Sequence, residues 1–224
     1  MKNIVITGTS SGIGLELVKL YSKKNYKILS LSRSPIPIDN IKNIKHVSFD
    51  ITNQNSIDNI KNIIQKEIKE VDILINNAGK LINKSFLNMT KEDFNSVFDV
   101  NLFGVVSLIK NLFPFFNKKS HVVNISSIGG VIGSSKFKGL TAYSSSKGAL
   151  NILTEVLAEE FKQSGPFFNS LCLGSVQTKM LDKAFPGYKA QVKPKDIAEF
   201  IFDFANNGTK YFNGKVIPVS LSNP

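Results

Sequence analysis

The sequence has little cysteine and no long apolar run. Its 224 residues include one cysteine, Cys172, so no disulfide can form within the chain, and we expect a reducing, cytoplasmic location. A membrane-spanning helix needs roughly 18 to 20 apolar residues in succession. The most apolar stretch, residues 102–116, is interrupted by Lys110, Asn111 and Pro114. The sequence therefore predicts no membrane span.

Acidic residues are also scarce, and tryptophan is absent. Twenty-eight Lys and Arg against 17 Asp and Glu give a net charge of +11. The basic residues are scattered and form no single run, which disfavours a nucleic-acid-binding protein and favours a basic surface that mildly attracts phosphate-bearing small molecules. Without internal repeats, low-complexity tracts or a Pro/Ser-rich linker, residues 1–224 are predicted to form one domain. No metal site is predicted.

Short apolar runs alternate with stretches that carry apolar residues at helical spacing. The first run is too short for a signal peptide and is typical of a strand. This alternation indicates parallel βαβ units, hence an α/β fold with helices on both faces of an open sheet. Strands are predicted at residues 3–6, 27–31, 46–49, 71–75, 121–125, 167–173 and 215–219, and helices at residues 14–23, 56–69, 93–116, 143–161 and 194–206.

A glycine-rich turn, T-G-T-S-S-G-I-G at residues 7–14, follows the first predicted strand and precedes a helix. Glycines allow the backbone to approach a diphosphate closely, and free amides at a helix start favour an anion. The spacing differs from the G-x-G-x-x-G pattern of dinucleotide-binding proteins. Taken alone, the turn is equally typical of a plain strand-to-helix connection.

From residue 3 to residue 219 the sequence resembles the short-chain dehydrogenase/reductase family. The family's opening motif, T-G-x-x-x-G-x-G, is matched here, as are an acidic residue after the third strand and an N-N-A-G segment after the fourth. The resemblance implies a Rossmann-like, doubly wound parallel sheet of about seven strands in the order 3-2-1-4-5-6-7. The matching residues are Thr7, Gly8, Gly12, Gly14, Asp50, Asn76, Asn77, Ala78 and Gly79.

The resemblance also implies which residues bind a nicotinamide dinucleotide. They lie in the glycine-rich turn, after the second to fourth predicted strands, in the helix that carries Tyr143, and after the sixth strand. The predicted cofactor-binding residues are Gly8, Ser10, Ser11, Gly12, Ile13, Gly14, Arg33, Asp50, Ile51, Asn77, Ala78, Gly79, Tyr143, Lys147, Gly174, Val176 and Thr178.

Tyr143 and Lys147 lie four residues apart at the start of a predicted helix, so both side chains project from the same face. On spacing alone, two residues on a solvated helix face are the favoured interpretation. By resemblance, Tyr143 is the catalytic acid/base, Lys147 lowers its pKa and binds ribose, Ser127 orients the substrate oxygen, and Asn101 assists a proton relay. A cation within about 4 to 6 Å can lower the pKa of an acid by about 1 to 3 units. Ser126 remains the alternative to Ser127.

The end of the second predicted strand reads Leu31, Ser32, Arg33. An NAD-dependent enzyme usually places an acidic residue where Ser32 stands, whereas an arginine pairs with the 2′-phosphate of NADP. We therefore expect NADP(H) as the preferred cofactor and NAD(H) as a possible one. Against this, Ser11 stands where many NADP-dependent relatives carry a basic residue.

The sequence departs from the family pattern in two places. The proline that often precedes Gly174 is missing, which leaves the backbone at Thr178 less constrained. Residues 179–193 form a short segment where relatives often insert a substrate lid, so the pocket is expected to be open or small. The usual Asp-Gly-Gly after the last strand is also missing, which weakens the prediction of a tetramer.

The apolar surface of residues 102–116 exceeds what one sheet-facing stripe requires. Because relatives pair this helix with the Tyr-bearing helix across a two-fold axis, a homodimer is expected, with a tetramer possible. The alternative is a helix buried by its own chain. The function predicted is NADP(H)-dependent hydride transfer to or from a small-molecule carbonyl or alcohol. The alternative is a non-catalytic dinucleotide-binding sensor on the same fold. The sequence does not identify the substrate.

Overall fold

The computed structural model describes residues 1–38 and 42–221. Within these residues, one parallel sheet has the strand order β3-β2-β1-β4-β5-β6-β7, as predicted. Six of the predicted strands match to within two residues, and the fifth is longer than predicted at both ends. The strands are β1 Lys2–Thr7, β2 Tyr26–Ser32, β3 Ile44–Ser48, β4 Val71–Asn76, β5 Phe116–Ser127, β6 Phe167–Leu173 and β7 Lys215–Val219.

Helices cover both faces of the sheet because successive strand residues point to opposite sides. In β1, Val5 packs with α2, α4 and α5, while Ile4 and Ile6 pack with α1 and α7. The α-helices in the described part of the chain are α1 Gly12–Ser22, α2 Gln54–Glu67, α3 Lys91–Phe98, α4 Gly104–Leu112, α5 Thr141–Glu160, α6 Lys179–Ala184 and α7 Pro194–Asn207.

The helix predicted at residues 93–116 is interrupted. A π-helical turn, Asp99–Phe103, separates α3 from α4, and a 3₁₀ turn follows before Phe116 enters β5. By length and composition alone, Lys91–Phe115 could cross a membrane. In the fold one side of this segment packs on the sheet, where Leu108 and Leu112 are fully buried.

The carboxyl ends of the strands meet at one edge of the sheet, where open α/β folds bind ligands. The segments that follow β1, β4, β5 and β6 lie at this edge. The segment after β6 contains helix α6, which was not predicted, and a parallel bridge between Val176 and Val192 closes its base. The fold thus gathers segments that are distant in sequence around one site.

Candidate active site

A cavity of about 810 Å³ opens at the carboxyl edge of the sheet. Of the residues that the sequence predicts for the site, all but Gly14 and Asn101 line it. Those that line it are Gly8, Ser10, Ser11, Gly12, Ile13, Arg33, Asp50, Ile51, Asn77, Ala78, Gly79, Ser127, Tyr143, Lys147, Gly174, Val176 and Thr178.

The glycine-rich turn is tied to the end of β4. Thr7 Oγ1 accepts hydrogen bonds from the amides of Asn77 (3.0 Å) and Ala78 (2.9 Å), and Asn77 Nδ2 donates to the carbonyls of Thr7 and Gly8. Gly8 and Gly12 adopt left-handed backbone angles (φ +70° and +58°) that cost other residues energy. A Cβ on Gly8 would lie 2.8 Å from Ala78 Cα. The backbone of this turn therefore packs closely against the end of β4, with no room for a side chain at Gly8.

Gly14 has a packing role. A Cβ there would lie 2.3 Å from the carbonyl oxygen of Gly8, so the first turn of α1 packs directly on the glycine-rich turn. Ser11 precedes α1 and makes no side-chain cap hydrogen bond with any described residue, and the first turn carries no acidic residue. Uncapped amides and the positive end of a helix dipole suit an anion. This cradle fits the diphosphate of a dinucleotide.

The ends of β2 and β3 form another part of the cavity. Asp50 Oδ1 accepts hydrogen bonds from the amide (2.9 Å) and hydroxyl (2.8 Å) of Thr52. The hydrogen bond from the Thr52 amide, with a smaller contribution from the positive charge of Arg33, lowers the pKa of Asp50. Ser32 is held by Thr9, whose hydroxyl donates to Ser32 Oγ at 3.1 Å. Arg33 itself is exposed at the mouth of the cavity.

Tyr143 and Lys147 project from the first turns of α5, as predicted. Burial raises the pKa of Tyr143 to about 12, and a hydrogen bond with the Ser127 side chain opposes the rise. Lys147 Nζ lies 5.8 Å from the centroid of the Tyr143 ring and donates to the Ile125 carbonyl at 2.8 Å. Burial lowers the pKa of Lys147 to about 8. For both groups, burial is the largest cause of the pKa shift.

The two candidate serines have different partners. Ser126 Oγ donates to the backbone carbonyl of Lys147 at 3.3 Å, which joins β5 to α5. Ser127 Oγ accepts from the Gly129 amide at 3.2 Å and meets Tyr143 through the hydrogen bond described above. The geometry therefore pairs Ser127 with the tyrosine.

Asn101 lies in the π-helical turn and is fully buried behind the cavity wall. Its Oδ1 accepts from the Lys80 amide at 2.8 Å, while Nδ2 donates to the Lys80 carbonyl and to Ser146 Oγ, each at 2.9 Å. A Cβ on Gly79 would lie 3.6 Å from Asn101 Oδ1 and 3.9 Å from Lys147 Nζ. The side chains of Asn101 and Lys147 therefore both lie close to Gly79. Lys80 and Ser146 could not be predicted from the sequence, because nothing in their local pattern marks them.

After β6, close packing holds the backbone where the proline is missing. The amide of Gly174 donates to the Val219 carbonyl at 2.9 Å, and a Cβ on Gly174 would lie 2.5 Å from Ser220 Oγ. Thr178 Oγ1 accepts from the Leu181 amide at 3.2 Å and so caps α6. A Cβ on Gly12 would lie 3.4 Å from Thr178 Cγ2. Thr178 therefore lies next to the glycine-rich turn.

The segment at residues 179–193 was expected to leave the pocket open or small. In the structure α6 and the residues after it form one wall of the cavity, and the Phe185 ring lies 6.4 Å from the Phe137 ring of the loop after β5. Individual substrate-contacting side chains in these loops could not be predicted from the sequence, because the contacts join segments far apart in sequence. The apolar and aromatic residues that line this part of the cavity are Leu81, Ile128, Phe137, Leu140, Met180, Leu181, Phe185 and Tyr188.

Comparison with known proteins agrees with this architecture. Residues 2–189 match the family described as short chain dehydrogenase. An uncharacterized oxidoreductase of Staphylococcus aureus (strain N315) is 29% identical over 226 aligned positions, covering 97% of this chain and 96% of that protein.

Among solved structures, 4-hydroxyisoleucine dehydrogenase complexed with NADH is 26% identical, with a TM-score of 0.87 over 98% of this chain and 97% of that one. ElxO with NADP bound is also 26% identical, with a TM-score of 0.84 and the same coverage. A short chain dehydrogenase family protein from Francisella tularensis is 26% identical, with a TM-score of 0.86 over 98% of this chain and 97% of that one. The chain therefore belongs to the short-chain dehydrogenase family and is an oxidoreductase with that family's NAD(P)-binding Rossmann fold.

Proposed function

We propose that this protein is an NADP(H)-dependent oxidoreductase that interconverts a small-molecule carbonyl compound and its alcohol. The observation that carries the proposal is the convergence of Ser127, Tyr143 and Lys147 on the same cavity as the glycine-rich cradle. A bound nicotinamide dinucleotide would supply or accept the hydride. The protein side chains would manage the proton and the orientation of the substrate oxygen.

Tyr143 is assigned the acid/base role. With a pKa of about 12 its hydroxyl is protonated near neutral pH and ready to donate to the substrate oxygen during reduction. Ser127, already hydrogen-bonded to Tyr143, would donate a hydrogen bond to the same oxygen. In the oxidation direction Tyr143 must lose its proton. The positive charge of Lys147, together with that of an oxidised nicotinamide, would favour the phenolate.

Lys147 and Asn101 are assigned to the supply of the proton that Tyr143 donates during reduction. A pKa of about 8 leaves Lys147 largely protonated at neutral pH but able to release a proton. Asn101 holds the Lys80 backbone beside this lysine and contacts Ser146, whose hydroxyl donates to the Tyr143 carbonyl at 2.7 Å. Asn101 would thus position the start of α5 and one end of a water-linked proton path.

The other residues predicted to bind the cofactor would hold it along the cavity, with the glycine-rich turn at the diphosphate and Thr178 near the nicotinamide amide. Arg33 supports NADP(H), since it is the only arginine in the chain and lies exposed at the cavity mouth. Its guanidinium would pair with the 2′-phosphate. Among the similar structures, the name of one specifies NADH and that of another NADP, so the choice rests on Arg33 and Ser32.

We further propose a homodimer formed through α4 and α5. The side chains of Phe103, the last residue of the π-helical turn before α4, and of Ile152 and Val156 on α5 are each 55% exposed, which leaves apolar helix surface for a second copy to cover. We expect a dimer by light scattering at micromolar concentration. The double variant Ile152→Glu, Val156→Glu should be monomeric, whereas Tyr211→Glu, at an exposed position outside these helices, should leave the dimer intact.

The enzyme proposal is tested by measuring NADPH and NADH binding and then oxidation of each cofactor with a panel of ketones, aldehydes and acyl thioesters. We expect tighter NADPH binding and turnover of at least one class of carbonyl. NADPH binding without turnover across the panel would favour a dinucleotide sensor over an enzyme.

A further inference from the structure

The part of the cavity beside Tyr143 is walled by apolar side chains from three loops. Leu81 follows β4, Phe137 and Leu140 follow β5, and Met180 and Phe185 follow β6. Leu140 directly precedes α5, three residues before Tyr143, so this wall begins next to the tyrosine that acts on the substrate oxygen. We call these five residues, with Ile128, Leu181 and Tyr188, the apolar wall.

Two aromatic rings of the apolar wall remain open to solvent. Phe137 is 55% exposed and Tyr188 50% exposed, although both line a concave site. Aromatic surface left uncovered in a cavity is typical of a binding site for an apolar group, because a ligand there removes that surface from water. The T-shaped Phe137–Phe185 contact, with centroids 6.4 Å apart, brings two of the loops together at this wall.

Polar side chains around the apolar wall are already engaged within the protein. Asn83 Nδ2 donates to the Ala184 carbonyl at 2.7 Å, and Gln177 binds both the Asp182 carboxylate and the Ala190 amide. Ser175 and Tyr188 share a hydrogen bond of 3.1 Å. These side chains are therefore less available to a substrate with several hydroxyl groups.

Among the described charged residues that line the cavity, none beside the apolar wall offers a carboxylate substrate a bidentate partner. The only arginine, Arg33, lies beside Asp50 at the ends of β2 and β3, so no guanidinium fork is available to the apolar wall. Lys80 and Lys179 line the cavity with exposed side chains, and a lysine is a strongly hydrated point charge rather than a bidentate partner.

We infer that the substrate is a neutral ketone or aldehyde, or the corresponding alcohol, whose reacting carbon carries an apolar group of several carbons, alkyl or aryl. This inference rests on the proposed function. The apolar wall would bind that group while Ser127 and Tyr143 hold the oxygen. Each methylene buried against the wall should raise kcat/KM about three- to fourfold, from the free energy of burying one such group.

The experiment compares kcat/KM with NADPH for methyl ethyl, methyl butyl and methyl hexyl ketone and acetophenone against dihydroxyacetone and pyruvate. We expect a steady rise along the ketone series and the lowest values for the two hydrophilic probes. Phe185→Ala should flatten the rise with chain length. Phe86→Ala, which removes a 63% exposed ring that lies after β4 outside the cavity lining, should leave the rise unchanged.

Preference for dihydroxyacetone or pyruvate over the ketones would overturn the inference while leaving the enzyme proposal intact. A complete lack of turnover would count against the enzyme proposal, and binding then decides the inference separately. Methyl hexyl ketone should raise the Tm of the NADPH-bound protein more than dihydroxyacetone does, and Phe185→Ala should remove the difference. Equal shifts from both probes would overturn the inference.

Discussion

The two halves of the cavity are built differently. The half formed by the glycine-rich turn and the end of β4 is held by hydrogen bonds between Thr7 and Asn77 and by glycine contacts that leave no room for a Cβ at Gly8. The half formed by the apolar wall consists of three loops, joined by contacts such as that between Phe137 and Phe185. The first half is shaped mainly by closely packed backbone. The second half is shaped mainly by side chains, several of which are exposed to solvent.

The difference follows from what each half binds. A dinucleotide presents the same diphosphate in every reaction, so backbone amides and a helix N-terminus suffice and tolerate little change. A substrate is recognised by side chains on loops, which can change without disturbing the sheet beneath them. We expect substitutions in the first half to affect cofactor affinity and stability, and those in the second to affect substrate choice.

The largest expected effect concerns the tyrosine at the junction of the two halves. Tyr143→Phe removes the proposed proton donor and should lower kcat by about 10²- to 10⁴-fold while NADPH affinity stays within a few-fold of the wild-type value. Tyr188→Phe, at the other tyrosine that lines the cavity, is the matched control and should keep most of the activity. Undiminished activity in Tyr143→Phe would remove this residue from the mechanism.

A matched pair of glycine substitutions compares the rigidity of the two halves. Gly8 (φ +70°) and Gly187 (φ +86°) are both left-handed, so alanine costs about 1 to 2 kcal/mol at either position. A Cβ at Gly8 would overlap Ala78, whereas nothing lies within 4 Å of one at Gly187. We expect Gly8→Ala to lower the free energy of unfolding by about 3 kcal/mol or more and to abolish tight NADPH binding. Equal losses in urea unfolding would contradict the comparison.

Within the cofactor half, Arg33→Asp replaces the proposed phosphate ligand by a repelling carboxylate. The ratio of kcat/KM with NADPH to that with NADH should fall roughly 10- to 100-fold, the value of a charge-assisted hydrogen bond. Lys210→Asp makes the same change of charge at an exposed position outside the cavity lining and should leave the ratio unchanged. A constant ratio in Arg33→Asp would refute the assignment of NADP(H).

The smallest expected effect is a change in the free energy of unfolding with pH. It tests whether the two halves of the cavity, which share one sheet, unfold together. His121 on β5 is buried, with Nδ1 3.0 Å from the Ala205 carbonyl and Nε2 3.0 Å from Asn169 Nδ2, so the neutral ring satisfies both partners. Burial lowers its pKa to about 4 from an ordinary 6.5. As the pH falls below 6.5, the unfolded chain binds a proton that the folded chain does not. The free energy of unfolding should therefore decrease by about 2 kcal/mol between pH 6.5 and pH 5.

This pH dependence should be much smaller in His121→Asn and only slightly smaller in His46→Gln, because the pKa of His46, the less buried histidine of β3, is also lowered by burial. As the protein unfolds, the loss of bound NADPH and the exposure of the Phe137 loop to protease should occur in the same unfolding transition. Two separate unfolding transitions would show that the two halves of the cavity unfold independently.

Much of the fold could be predicted from the sequence because the relevant signals are local. Buried strands such as β1 and β4 appear as short apolar runs, and the glycines of the turn after β1 mark the first βα connection. Three features escaped prediction. The π-helical turn at Asp99–Phe103 leaves the apolar period continuous, and helix α6 is too short to show a period. The start of β5 was missed because its first residue, Phe116, continues an apolar helical pattern and the residues after it, 117–120, are polar.

Local sequence determined the cofactor half, because the residues of a tight turn and of a helix start are neighbours along the chain and their spacing is itself the signal. It also placed Tyr143 and Lys147 on one helical face. Only the tertiary structure decided that Ser127 meets Tyr143, that burial sets the pKa of each reactive group, and that three distant loops form the apolar wall. Those outcomes depend on desolvation and on contacts between segments far apart in sequence, which no local pattern records.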